Sequence, residues 1–183
     1  MKRSVLYTAL TFVLLASLCS CPIAAQENQP TWEVYFSPRG GCTEAIIKEL
    51  DKAKTSIFVQ AYSFTSAPIA KGLLNARKRG VKIGVILDKS QRRKQYSAAD
   101  FVANSGIITK IDSQHAIAHN KVIIIDREVV ITGSFNFTKA AEESNAENLL
   151  VIHDSKLADR YAKNWEDHAQ HSKVYTGRAG KGS

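Results

Sequence analysis

Two pairs of polar side chains share one stretch of the chain: His119 with Lys121, two residues apart, and Ser134 with Asn136, also two apart. An imidazole changes charge near neutral pH, an ammonium carries a full positive charge, an amide donates, and a hydroxyl both donates and accepts. Together they make an anion clamp with one group able to attack or to protonate. That is the set a tetrahedral phosphate diester needs for cleavage. Taken pair by pair, the same residues would be an ordinary polar sheet edge; the set as a whole is harder to reach by chance.

The segment 119–136 reads as strand, turn and returning strand. Residues two apart on a strand share a face, so each pair points one way. With Arg127 and Glu128 central in the turn, antiparallel pairing sets His119 opposite Asn136 and Lys121 opposite Ser134, all on one face. A three-residue loop with a bulge would break that register, and no Asn-Gly pair decides the turn. Asp126 has the opposite parity to Lys121 and lies at the turn, which suits a structural contact better than chemistry.

His119-x-Lys121, four residues, Asp126, six residues, then Gly133-Ser134-x-Asn136 resembles the HxK(x)4D(x)6GSxN signature of the phospholipase D superfamily at every specified position. Tyr35-Phe36-Ser37-Pro38, the apolar run at 81–88 and Asn145-Ala146-Glu147-Asn148 are similar to the small bacterial endonucleases of that superfamily, the Nuc type. The resemblance implies that a nitrogen of His119 attacks phosphorus to give a phosphohistidine that water resolves. Lys121 and Asn136 would hold the phosphoryl oxygens, and Ser134 would support that cage. Glu147 would accept from the other ring nitrogen and fix the tautomer. The mechanism needs two histidines, and the sequence has one copy of the motif and no internal repeat. A homodimer with the cleft on its two-fold axis would supply the second set. No carboxylate pair is set up for a divalent ion, and neither a cysteine pair nor an HExxH spacing suggests zinc, so neither cofactor nor metal is expected. His115 is a rim or substrate contact; His153, His168 and His171 have no partner pattern and read as structural or surface.

Positioning these groups falls to an alternation of strands and helices. Strands are expected at 32–36, 56–64, 81–87, 107–111 and 148–152, beside the hairpin. Helices are expected at 43–54, 67–79 and 98–104, with 138–144 helical or looped and a last helix capped by Ser155. The fold class is α/β in a single domain: a mixed, largely parallel sheet flanked by helices on both faces. Between strand and helix, 88–100 breaks the pattern. Arg92, Arg93, Lys94 and Tyr96 there read either as a phosphate-tracking patch with a stacking aromatic or as a solvated face.

The chain's 183 residues, 44% hydrophobic, suit one domain with a core, and a net charge of +8 favours an anionic partner. Residues 1–25 read as a signal peptide: Lys2 and Arg3, an apolar run too short to span, then a small-residue cleavage site. The nuclease domain would be 26–176 and the flexible tail 177–183, giving a periplasmic or secreted protein with no stable membrane insertion. A lipoprotein site at Cys21 is the alternative. Cleavage would leave Cys42 as the one thiol, near a helix start and without an internal disulfide. The expected substrate is DNA, with RNA left open. Lipid headgroups are the runner-up, and a nucleic-acid-binding protein with a decayed site is the third reading, disfavoured by the intact motif.

Overall fold

The computed structural model describes residues 29–92 and 97–178. The signal-peptide segment 1–25 lies outside the described residues. Alternation in the sequence becomes eight strands in one sheet, in the order β1-β7-β6-β5-β2-β3-β4-β8. The strands are β1 Thr31–Ser37, β2 Ser56–Ala61, β3 Lys82–Asp88, β4 Ile108–Asp112, β5 Lys121–Ile125, β6 Val129–Gly133, β7 Glu147–His153 and β8 Lys173–Val174. The helices are α1 Cys42–Lys52, α2 Ala67–Lys78, α3 Ala99–Asn104, α4 Lys139–Glu143 and α5 Ser155–His171. The sheet is mixed, but its parallel part is smaller than expected. Only the β2–β3 and β3–β4 ladders are parallel, each joined by a helix that returns the chain to the neighbouring position; every other ladder of the sheet is antiparallel.

Each face of the sheet has its own core. Ile57, Val59, Val85, Ile123 and Ile131 point to one side, against Ile46 and Leu50 of α1 and Leu73 of α2. Ile86, Val122, Ile124 and Val130 point to the other, against Ala158, Ala162, Trp165 and Ala169 of α5. Alternate strand residues thus separate the two clusters. Trp165 locks α5 in place. Its ring stacks on Phe58 at 4.7 Å, its Nε1 donates to Val59 O at 2.9 Å, and a Cβ on Gly84 would come within 2.6 Å of it. The cap of α5 is Asp154, one residue before the expected Ser155: its carboxylate accepts from Leu157 N at 3.0 Å.

The central hairpin differs from expectation by one residue. Val122 pairs with Thr132 and Ile125 with Val129, so the connection is the three residues Asp126–Glu128 and Lys121 is not opposite Ser134. Asp126 and Arg127 both take left-handed backbone angles, with φ 54 and 56, and Glu128 N donates to Ile125 O at 2.9 Å. A tight two-residue turn followed by one extra residue results. Asp126 explains why. Its carboxylate accepts from the backbone N–H groups of Lys54, Thr55 and Ser56 at 2.8–2.9 Å and from the Thr55 hydroxyl at 2.8 Å. Arg127 then pairs with Asp159 and Glu166 of α5. The turn is therefore tied to both faces of the sheet.

At the tail, Tyr175 and Arg178 hold the Asp100 carboxylate, the latter through Nε at 2.8 Å and its own N–H at 2.9 Å. The described chain up to Arg178 is thus docked, two residues into the segment expected to be flexible.

Candidate active site

Lys121 opens β5 and pairs with Ala61 at the end of β2; His119 belongs to the loop 113–120 just ahead of it. Two contacts fix the end of that loop. Ala118 N donates to the buried Asp88 carboxylate at 2.8 Å, and Tyr62 N donates to Asn120 O at 2.8 Å. Lys121 is only 7% exposed. Its Nζ lies 3.1 Å from His119 Nδ1 and donates to His119 O at 2.7 Å. The Tyr62 ring completes the group, 4.5 Å from the His119 ring and 5.1 Å from Lys121 Nζ. Burial lowers the Lys121 pKa from its ordinary value, and the nearby Glu147 charge opposes that shift. An ammonium can only donate, so with Lys121 charged the Nδ1 atom accepts and Nε2 carries the ring proton.

The second pair sits at a bulge at the end of β6. Ser134 N and Phe135 N both donate to Asn148 O, at 3.1 and 3.2 Å, so two residues of the β6 end face one residue of β7. Phe135 and Phe137 enter the core, while Ser134 and Asn136, which alternate with them in sequence, stay outside it. Gly133 makes the approach feasible: its φ is 149, and a Cβ would sit 2.3 Å from Asn148 O. Ser134 Oγ accepts from Asn148 N at 3.1 Å. The Asn136 Oδ1 atom is buried with no hydrogen-bond partner. A buried, unpaired amide end is an expected feature where a ligand supplies the partner, and an amide flip would turn its N–H2 toward an anionic oxygen.

Glu147 opens β7 opposite Ser37. Within one chain its carboxylate accepts from Asn145 Nδ2 at 3.2 Å and makes no hydrogen bond to His119, whose Nδ1 faces Lys121. Arg92 is exposed at the end of a short 3-10 turn, Lys89–Arg92. Arg93, Lys94 and Tyr96 lie outside the described residues. Sequence reasoning missed Tyr62 and Asp88, because their link to His119 runs through strand pairing and not through spacing.

His115 is exposed, but it does not stand alone on a rim. Its Nδ1 lies 2.8 Å from Asp112 Oδ2, and His168 Nδ1 and His171 Nε2 lie 3.1 and 3.4 Å from the same oxygen. This corrects the reading of His168 and His171 as histidines without a partner pattern. The signal was present as Asp112-x2-His115 and His168-x2-His171, two halves separated by 52 residues of intervening sequence. Cys42 is buried at the start of α1, and burial pushes its thiol up to about 11. It is an inert core residue.

The family described as "Cardiolipin synthase, PLD-like domain" matches residues 46–169. A protein of Rickettsia conorii named "Phospholipase D" is 48% identical over 130 residues, covering 71% of this chain and 65% of its own length. The chain thus spans about two thirds of that relative. Among solved structures, Nuc of Salmonella typhimurium, titled a phospholipase D family member, superposes with a TM-score of 0.77 at 43% identity, over 80% of this chain and 99% of Nuc. NucT of Helicobacter pylori shares the fold, with a TM-score of 0.74 at 21% identity over 80% of this chain and 100% of NucT.

Proposed function

The chain belongs to the phospholipase D superfamily, and on that premise we propose that it is an exported phosphodiesterase that cuts DNA, and RNA as a further substrate, without sequence preference and without a metal ion at the phosphate. The observation that carries this reading is the 3.1 Å contact between Lys121 Nζ and His119 Nδ1 in a chain whose motif is complete. It sets a cation against the imidazole that the motif assigns as the nucleophile.

The two groups change partners when a phosphate arrives. Lys121 moves its N–H groups from the ring to a phosphoryl oxygen, the ring proton passes from Nε2 to the freed Nδ1 by exchange with solvent, and Nδ1–H then donates a hydrogen bond to the Glu147 carboxylate. Nε2 then attacks phosphorus. As that bond forms, the bond to the leaving oxygen breaks, and the oxygen takes a proton from the second His119, contributed by the other copy of a homodimer. Water next attacks the phosphohistidine and gives its proton to that second imidazole. The phosphate monoester leaves and both histidines return to their starting state. Lys121 and Asn136 from both copies hold the charge that builds on the phosphoryl oxygens, and Ser134, fixed by Asn148, keeps the cage in place. The exposed Arg92, with Arg93, Lys94 and Tyr96 beside it in sequence, would track the phosphate backbone.

Phosphatidyl headgroups are the second reading, favoured by the name of the rickettsial relatives. The deciding experiment incubates purified mature protein with plasmid DNA and with phosphatidylcholine or cardiolipin vesicles, each with and without EDTA. DNA nicking that persists in EDTA and disappears in His119→Ala is the expected result. Vesicle hydrolysis without nicking transfers the assignment to lipids. Nicking that vanishes with chelator and returns with magnesium rules out the proposed chemistry.

A further inference from the structure

We propose that Asp112, His115, His168 and His171 form a structural binding site for a zinc-class divalent metal ion, separate from the phosphate-cleaving groups. One ligand atom from each of the four lies within 4.8 Å of every other. The ring centroids are 4.9 Å apart for His115 and His168 and 5.3 Å for the other two pairs. Three ring nitrogens converge on one carboxylate oxygen, at 2.8, 3.1 and 3.4 Å. A carboxylate oxygen has two lone-pair directions, so three imidazoles oversubscribe it as hydrogen-bond donors. A tetrahedral ion with bonds of about 2.0–2.1 Å holds its ligands roughly 3.3–3.4 Å apart, close to the spacing already present. Shifts of an ångström or so in the rings would complete the coordination.

The surroundings are those of a built site. Asp112 is fully buried at the end of β4. Its other oxygen accepts from Gln114 N at 3.0 Å and His115 N at 3.3 Å, which fixes the orientation of the carboxylate. His168 and His171 are three apart on α5, on the side that Trp165 anchors to the sheet, so the helix presents both imidazoles from adjacent turns. His115 is the most open of the four, 46% exposed at its side chain, and gives an ion a route in. Three nitrogens and one oxygen select zinc, cobalt or their neighbours over magnesium and calcium, which need oxygen ligands.

The site's consequence is mechanical. His115 and His119 belong to the same loop, 113–120, four residues apart. An ion held by Asp112, His115 and α5 staples the start of that loop, as Asp88 staples its end through Ala118. Metal would therefore order His119 without touching the phosphate.

The test needs no substrate. Mature protein is stripped with EDTA, transferred to chelator-free buffer, and titrated with Zn2+ or Co2+. The expected result is one retained ion per chain after desalting, an intense visible Co2+ spectrum of four-coordinate type, and a melting midpoint that rises with zinc but not with magnesium. His168→Ala should lose at least about 100-fold in zinc affinity, and so should His115→Ala, an exposed loop variant that leaves the core intact. His153→Ala, a histidine outside the cluster, should bind as the parent does. A parent protein that retains no zinc at micromolar concentration overturns the proposal, as does unchanged binding in both His168→Ala and His115→Ala. These readouts are independent of the cleavage reaction.

Discussion

Lys121 carries two duties whose separation can be measured. It holds His119 through the ring nitrogen and the carbonyl, and in the proposed reaction it is the cation that meets the phosphate. Lys121→Ala is expected to lower kcat by about 10²–10³-fold, the range for removing one preorganised charge donor, with a smaller change in KM. His119→Ala removes the proposed bond-forming atom and is expected to cost at least about 10²–10⁴-fold. Single-turnover cleavage of a chromogenic phosphodiester checks both; a His119→Ala protein with parental rates would move the nucleophile elsewhere. The local chemistry of this pair was legible because the motif is contiguous and its spacing is strict. The aspartate–histidine cluster was not, because its two halves come together only when α5 packs beside β4. No periodicity links residue 112 to residue 168, and each histidine alone looks like surface.

The hairpin shows where pattern reading stops. The existence of the strands and helices followed from their alternation along the chain. Register did not follow, because turn geometry depends on what captures Asp126, and its captors lie some seventy residues away in the α1–β2 connection. Those bonds give the turn a testable pH signature. Partial burial raises the Asp126 pKa, but the N–H groups of Ser56, Thr55 and Lys54 and the Thr55 hydroxyl outweigh it and hold the carboxyl below its usual value. A folded pKa below the unfolded one gives stability that is full above the ordinary aspartate range and is lost as pH falls through the lowered value. Asp126→Ala leaves those donors without their acceptor and is expected to cost about 1–3 kcal/mol at neutral pH, with a flatter loss of stability below about pH 4. Urea melts of parent and variant across acid pH measure it; parallel curves would show that the carboxylate does not titrate with folding. Gly133→Ala tests the neighbouring bulge. A Cβ 2.3 Å from Asn148 O forces the β6 end away from β7, at roughly 1–3 kcal/mol for the overlap, and should shift Ser134 with it.

One exposed surface bears on how the whole molecule completes its site. β1 is an edge strand, and its alternate residues Trp32, Val34 and Phe36 are 66, 41 and 63% exposed on one face. Across the ladder they pair with Ile152, Leu150 and Asn148, so the apolar row runs directly toward Ser37 and Glu147. An uncovered row of large apolar side chains on a sheet edge is a partner surface or an aggregation hazard. A two-fold axis beside this row would cover it, and the proposed two-histidine reaction requires that the same axis bring two copies of His119 and Lys121 to one cleft. A carboxylate placed in the row should prevent that association while leaving the two helical cores untouched. Phe36→Glu is therefore expected to sediment as a folded monomer with parental circular dichroism and nuclease activity reduced by at least about 10²-fold, since it lacks the second proton-transfer group. Sedimentation velocity and plasmid nicking on the same sample decide the matter: a monomer that nicks at the parental rate would show that one copy of His119 suffices, and the shared cleft would have to be abandoned.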